Sequence, residues 1–253
     1  MIPNPILRVL STLSCHMVRH LLIGGQACVL YGAAEFSRDC DVVVLVNDEN
    51  LRNLSAALAE LHAECIAVPE FRAEYLLRGH AIHFRCHHPD VTGLRIDVMS
   101  KMRSCDPFEQ LWQRRTTIED TQANATYEVL AIEDLVRAKK TQRDKVWPMI
   151  RRLVEAHYDE NREIANRAMV HFWFRESRTP SMLMELIRQF PEEVASAVSE
   201  RPWLGEIVTL DNKQIENFLR EEEDIQRQAD EAYWKPLKEE LTQMRLNRER
   251  RKH

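Results

Sequence analysis

The chain has 253 residues, 44% of them hydrophobic and 30% charged, with a formal net charge of −5. This composition excludes a disordered chain, and without an apolar run of about 20 residues it also excludes a helical membrane span. The negative balance argues against nonspecific coating of nucleic acid, although a local basic groove stays open.

The length suits two domains better than one. Met1 to Leu13 carries little basic charge, and no small-residue cleavage site follows an apolar core, so no signal peptide is expected. Six cysteines, at 15, 28, 40, 65, 86 and 105, form no Cys-x-x-Cys pair. Zinc-ribbon readings therefore fail, and buried free thiols in a reducing cytoplasm are expected.

Ile6, Leu7, Val9, Leu10, Leu13 and Met17 have the spacing of a helix packed over a first strand, Leu21-Leu22-Ile23. Gly24-Gly25 ends that strand, and Ala27, Cys28, Val29 and Leu30 predict a short helix ending near Gly32. Two glycines at a helix start let the backbone approach a ligand, and the N–H groups there favour a phosphate. A tight strand-to-helix turn alone would use the same residues.

Asp39 and Asp41 flank Cys40 and lead into Val42-Val43-Val44-Leu45, a buried strand with two acids at its start. Residues two apart in an extended chain share a face, so these carboxylates repel each other. A divalent cation such as Mg²⁺ would relieve that repulsion. Asn47-Asp48 can cap a helix through Leu51, Leu54, Ala57, Leu58 and Leu61. A short strand over Cys65 to Val68 is expected next, and Phe71 to Leu77 is ambiguous.

Ala81 to Cys86 and Leu94 to Val98 read as a hairpin turning at Pro89, Asp90 and Gly93. The hairpin delivers Asp97 between apolar neighbours, in Arg95-Ile96-Asp97-Val98-Met99. If the strands pair, Asp39, Asp41 and Asp97 can converge and hold two Mg²⁺ ions. His80, His83, His87 and His88 near Cys86 could be read as a transition-metal cluster, but a hairpin spreads them over both faces and a turn.

Pro107 starts a short helix, Tyr127 to Leu130 predicts an edge strand, and Ile132-Glu133-Asp134-Leu135 opens a long helix through Leu153 in which Pro148 marks a kink or break. Arg137 to Arg152 holds seven basic residues and one acid, a net +6. Helical periodicity continues over His157–Arg178 and Ser181–Glu200. Phe172, Trp173, Phe174 and Trp203 are expected to pack between helices. From Asp211 onward one long polar helix is expected, either solvated or serving as a partner-binding or self-associating arm.

Ile23-Gly24-Gly25, a spacer from Gln26 to Arg38, Asp39-Cys40-Asp41-Val42 and Ile96-Asp97-Val98 together resemble the nucleotidyltransferase fold of the DNA polymerase β superfamily. Within it the chain looks most like the small prokaryotic Gly-Gly branch, which includes toxin-like and antibiotic-modifying enzymes. The resemblance covers Leu21 to Leu153. It implies an α/β (α+β) core with a small mixed β-sheet flanked by helices, taken as residues 1–153, while the helical periodicity beyond it predicts a helical C-terminal domain over 154–253.

It also implies an ATP- or other nucleoside triphosphate-binding transferase. Gly24, Gly25, Ser37 and Lys139 would contact the nucleotide, and Asp39, Asp41 and Asp97 would be catalytic and metal-binding. Lys139 matches the lysine that follows the Glu-Asp-Leu helix start in relatives. Arg143-Asp144 is the nearest match to a further acid on that helix. The acceptor implied is an RNA end, a protein hydroxyl or a small molecule, and no membrane partner is implied. A noncatalytic regulator or antitoxin-like scaffold on the same fold is the alternative.

Overall fold

The structure is a computed structural model and describes residues 4–34, 36–120 and 125–250. It divides into two compact units, one of Met1–Leu30, Ala34–Ala138 and Ala232–His253, the other of Tyr31–Ala33 and Lys139–Glu231. The expected division at 153/154 falls inside a helix of the second unit.

The first unit is a mixed α/β structure. In order it contains α1 (Asn4–Cys15), β1 (His20–Ile23), α2 (Gly24–Leu30), β2 (Cys40–Val44), α3 (Asp48–Glu60), β3 (Ala63–Cys65), α4 (Ala73–Arg78), β4 (Ile82–Cys86), β5 (Arg95–Met99), α5 (Phe108–Gln113), β6 (Thr116–Asp120), β7 (Ala125–Val129) and α6 (Ile132–Lys139). The last residue of α6 belongs to the second unit. The strands form one sheet in the order β3-β4-β5-β2-β1-β7-β6. β2 pairs in parallel with β5, and β1 in parallel with β7; the other pairs are antiparallel.

Physical patterning explains these elements. Ile6, Val9, Leu10 and Leu13 are all buried, so the three- and four-residue spacing turns one stripe of α1 inward. β1 is buried along its length, as a strand with neighbours on both sides and helices above it should be. Asn47 caps α3, its side chain accepting from the Asn50 N–H at 2.7 Å. Such a cap contributes about 1 kcal/mol. Buried Asn50 then binds the backbone on both sides of the β1–β2 pair, accepting from Arg19 N–H at 2.7 Å and donating to Leu45 O at 2.8 Å.

Several local expectations change. β3 covers Ala63–Cys65 instead of Cys65–Val68. Tyr127 to Val129 is an inner strand, because an additional strand, β6, takes the sheet edge beside it. The helix expected to run from Ile132 to Leu153 stops at Lys139 and a new one, α7 (Trp147–Asn161), starts with Pro148 in its first turn. Proline has no N–H to donate and fits only where none is needed. Three cysteines, Cys28, Cys40 and Cys86, are buried as expected, while Cys15 and Cys65 are exposed.

The second unit is helical: α7, α8 (Arg167–Glu176), α9 (Pro180–Gln189), α10 (Val194–Glu200) and the first part of α11 (Asn212–Arg250). Trp173, Phe172 and Phe174 form its core, with Trp173 edge-on to Tyr158. Charged residues are buried here too. Lys140 pairs with Glu176 at 2.6 Å, and Glu222 accepts from Arg201 at 2.7 Å and from the Trp203 indole at 2.8 Å.

The part of α11 from Ala232 on belongs to the first unit. There Glu240 binds buried His80 at 2.7 Å and pairs with Arg78. Among the described residues, no helix is long and apolar enough to cross a membrane.

Candidate active site

Two of the expected acids lie side by side on the central strands. Asp41 on β2 lies in register with Asp97 on β5, and His83 on β4 lies in register with Asp97 on the other side. In-register residues of neighbouring strands share a face, so Asp41, Asp97 and His83 form a row across three strands. Asp39 stands two residues before Asp41, just outside β2. Cys40, between them, is buried, and its thiol is pushed well above the usual range, first by burial and then by the charges of Asp41, Asp97 and Asp39. All three carboxylates thus act on one neighbourhood.

The glycine turn abuts the same acids. Gly24 has φ +71°, and a Cβ built on it would fall 1.9 Å from Asp41 Oδ2. A Cβ on Gly25 would fall 2.6 Å from Ser37 Oγ. Ser37 Oγ–H in turn donates to Asp39 O at 3.4 Å. Gly24, Gly25, Ser37, Asp39 and Asp41 are therefore neighbours.

Asp97 has companions that the motif alone does not supply. Arg95 Nε–H donates to Asp97 Oδ1 at 2.6 Å, and His83 Nδ1 lies 2.8 Å from the same oxygen. Arg95 Nη2 also lies 3.0 Å from His83 Nδ1. One ring nitrogen cannot donate to Asp97 and accept from Arg95 at once, so the tautomer decides which contact is a hydrogen bond.

Burial works to raise the Asp97 pKa, but the hydrogen bonds from His83 and Arg95 and their charges outweigh it and hold the carboxyl below its ordinary range. Arg95 is correspondingly raised, chiefly by its bond to Asp97 against the opposing effect of burial. The sequence carried a signal for Arg95, since it stands two residues from Asp97 on one strand and shares its face. His83 required the hairpin register, and the histidine pattern alone did not single it out from His80, His87 and His88.

Asp39 and Asp41 are hard oxygen donors of the kind Mg²⁺ takes, and the Asp41 carboxylate occupies the space that a side chain at Gly24 would fill. The pair fits a divalent cation in its donor chemistry. Asp97 is held by Arg95 and His83, and among the described residues no group of three His, Cys, Asp or Glu side chains is close enough to cage an ion. The four-histidine reading around Cys86 gains no cluster either. Lys139 ends α6 in the second unit, half-buried. Its neighbour Lys140 is half-buried and pairs with buried Glu176, so it is not part of a solvated basic face.

No protein-family model matches the chain, and no curated protein matches it. Among solved structures, an antigenic nucleotidyltransferase-like protein from Paracoccidioides brasiliensis is similar at 16% identity with a TM-score of 0.38, over 78% of this chain and 90% of that one. A likeness of that size establishes no activity for this chain.

Proposed function

We propose that this chain is a Mg²⁺-dependent nucleotidyltransferase that moves a nucleoside monophosphate from a nucleoside triphosphate to an acceptor hydroxyl. The observation that carries the reading is the in-register pairing of Asp41 with Asp97 on parallel neighbouring strands, with Gly24 packed against Asp41. Asp39 and Asp41 would hold the cation, which supplies neutralisation of the triphosphate charge when bound.

Gly24, Gly25 and Ser37 lie beside those acids and would receive the phosphates, whose oxygens suit backbone N–H donors. Lys139 is the lysine that the resemblance assigns to the same phosphates. In the reaction the acceptor oxygen forms a bond to the α-phosphorus, the bond from that phosphorus to the bridging oxygen breaks and pyrophosphate leaves with the bonding pair, and the hydroxyl proton passes to solvent water. Asp97, ionised because its pKa is depressed, would orient the hydroxyl. A carboxylate of low pKa is a weak proton store, so orientation suits it better than general-base work.

The ion pair that occupies Asp97 Oδ1 favours a second reading, a noncatalytic scaffold on the same fold. Incubation with each α-³²P-labelled nucleoside triphosphate, Mg²⁺ and a cell extract separates the two. Label entering an RNA, protein or small-molecule fraction with pyrophosphate release supports the transferase. Partner capture without nucleotide consumption supports the scaffold.

A further inference from the structure

Resting on the transferase reading, we infer that Phe36 is the surface on which the base of the nucleotide stacks. Phe36 is 63% exposed, and every other described Phe, Tyr and Trp side chain is buried or half-buried. A large apolar ring left in water loses the burial that favours such rings elsewhere in the chain, and a flat π-face can regain it by taking a planar ligand.

The position of Phe36 ties it to the candidate site. It directly precedes Ser37, whose side chain meets Gly25 at the start of α2 and donates to Asp39 O. Neighbouring Cα atoms are about 3.8 Å apart, and three residues of chain to Asp39 span at most about 11 Å. A ring tethered so near the glycine turn and the two acids is within the length of a nucleotide whose phosphates occupy that turn. Every base offers a π-face, so the contact recognises nucleotides as a class and does not choose among them.

The test measures binding of ATP, GTP and inorganic tripolyphosphate to the full-length chain in Mg²⁺ by calorimetry, for wild type, Phe36→Ala and Phe36→Trp. Phe36→Ala should weaken purine nucleotide binding about 5- to 150-fold, the range that loss of one base–aromatic stack gives. Its tripolyphosphate affinity should stay at the wild-type value. Phe36→Trp should bind nucleotide as wild type does, with indole quenching by ATP but not by tripolyphosphate.

Unchanged nucleotide binding in Phe36→Ala overturns the inference and leaves the transferase reading standing. Equal losses for nucleotide and tripolyphosphate also overturn it, because they place the effect in the loop and not in stacking. If the wild type binds neither ligand, the transferase reading itself fails, and the inference with it.

Discussion

Gly24 and Asp41 are packed so that even a methyl group on the glycine would overlap the carboxylate, with a built Cβ only 1.9 Å from Oδ2. Gly24→Ala should therefore do two things. Its φ of +71° costs an L-residue about 1–2 kcal/mol. The new methyl must also push Asp41 out of its row with Asp97. Gly25→Ala should be milder, because what it meets is the hydroxyl end of Ser37 and the backbone there is not left-handed. Urea unfolding and Mg²⁺-nucleotide binding of both variants check this, and equal losses would contradict the packing described.

Asp39→Ala and Asp41→Ala should each abolish metal-dependent transfer while leaving the chain folded, since removing one acid relieves repulsion with the other. Circular dichroism and label transfer on the same preparation decide the point. Activity retained in either variant would remove that carboxylate from the site.

Much of this arrangement was legible because it is local. The apolar run before Gly24-Gly25, the cap at Asn47 and the alternation around Asp97 each depend on a few adjacent residues. The rest depends on contacts between distant residues. β6 carries Thr116, Thr117 and Glu119, which have no clean apolar alternation, and it exists by pairing with β7. Lys140 and Glu176 are 36 positions apart, so no local pattern shows that they pair. His83 reaches Asp97 only because the turn holding Pro89–Val91 sets the hairpin register.

Lys139 and Lys140 are adjacent yet should behave differently. Lys139→Ala should weaken triphosphate binding by about 1.5–3 kcal/mol if it supplies a charge-assisted hydrogen bond, with little change in stability. Lys140→Ala should instead destabilise the protein by about 1.5–3 kcal/mol, because it removes the shortest contact to buried Glu176 and leaves that carboxylate to Arg175 and Arg178. Part of that loss should disappear in acid. Burial opposes ionisation of Glu176, but Lys140, Arg178 and Arg175 outweigh it and depress its pKa. The stabilisation it provides is thus present above the unfolded value of about 4.3 and is lost as pH falls through the lower folded value. Thermal melts of wild type and Lys140→Ala at pH 7 and near pH 3 should converge as the pH drops. A gap that stays constant would mean that the pair contributes only by packing.

Asp97 is where the choice between transferase and scaffold turns. Its pKa is depressed because hydrogen bonds from His83 and Arg95 outweigh burial, so it is ionised at neutral pH and gains its proton only below the ordinary carboxylate range. Removing the Arg95 contribution with Arg95→Met leaves burial less opposed and should move the pKa upward. A carboxyl ¹³C titration of the metal-free protein reads this directly, and an unchanged value would mean that His83 alone holds the anion. Asp97→Asn tests the chemical role. If Asp97 orients the attacking hydroxyl while Asp39 and Asp41 serve the triphosphate, nucleotide binding should stay within a few-fold of wild type. Transfer should fall on the order of 10²-fold, the loss that misplacing a reacting group commonly brings. Calorimetry with a nonhydrolysable triphosphate beside a label-transfer assay measures both halves. Transfer unchanged in Asp97→Asn would show that the in-register carboxylate pair is structural, whereas loss of binding and transfer together would place Asp97 with the triphosphate and not with the acceptor.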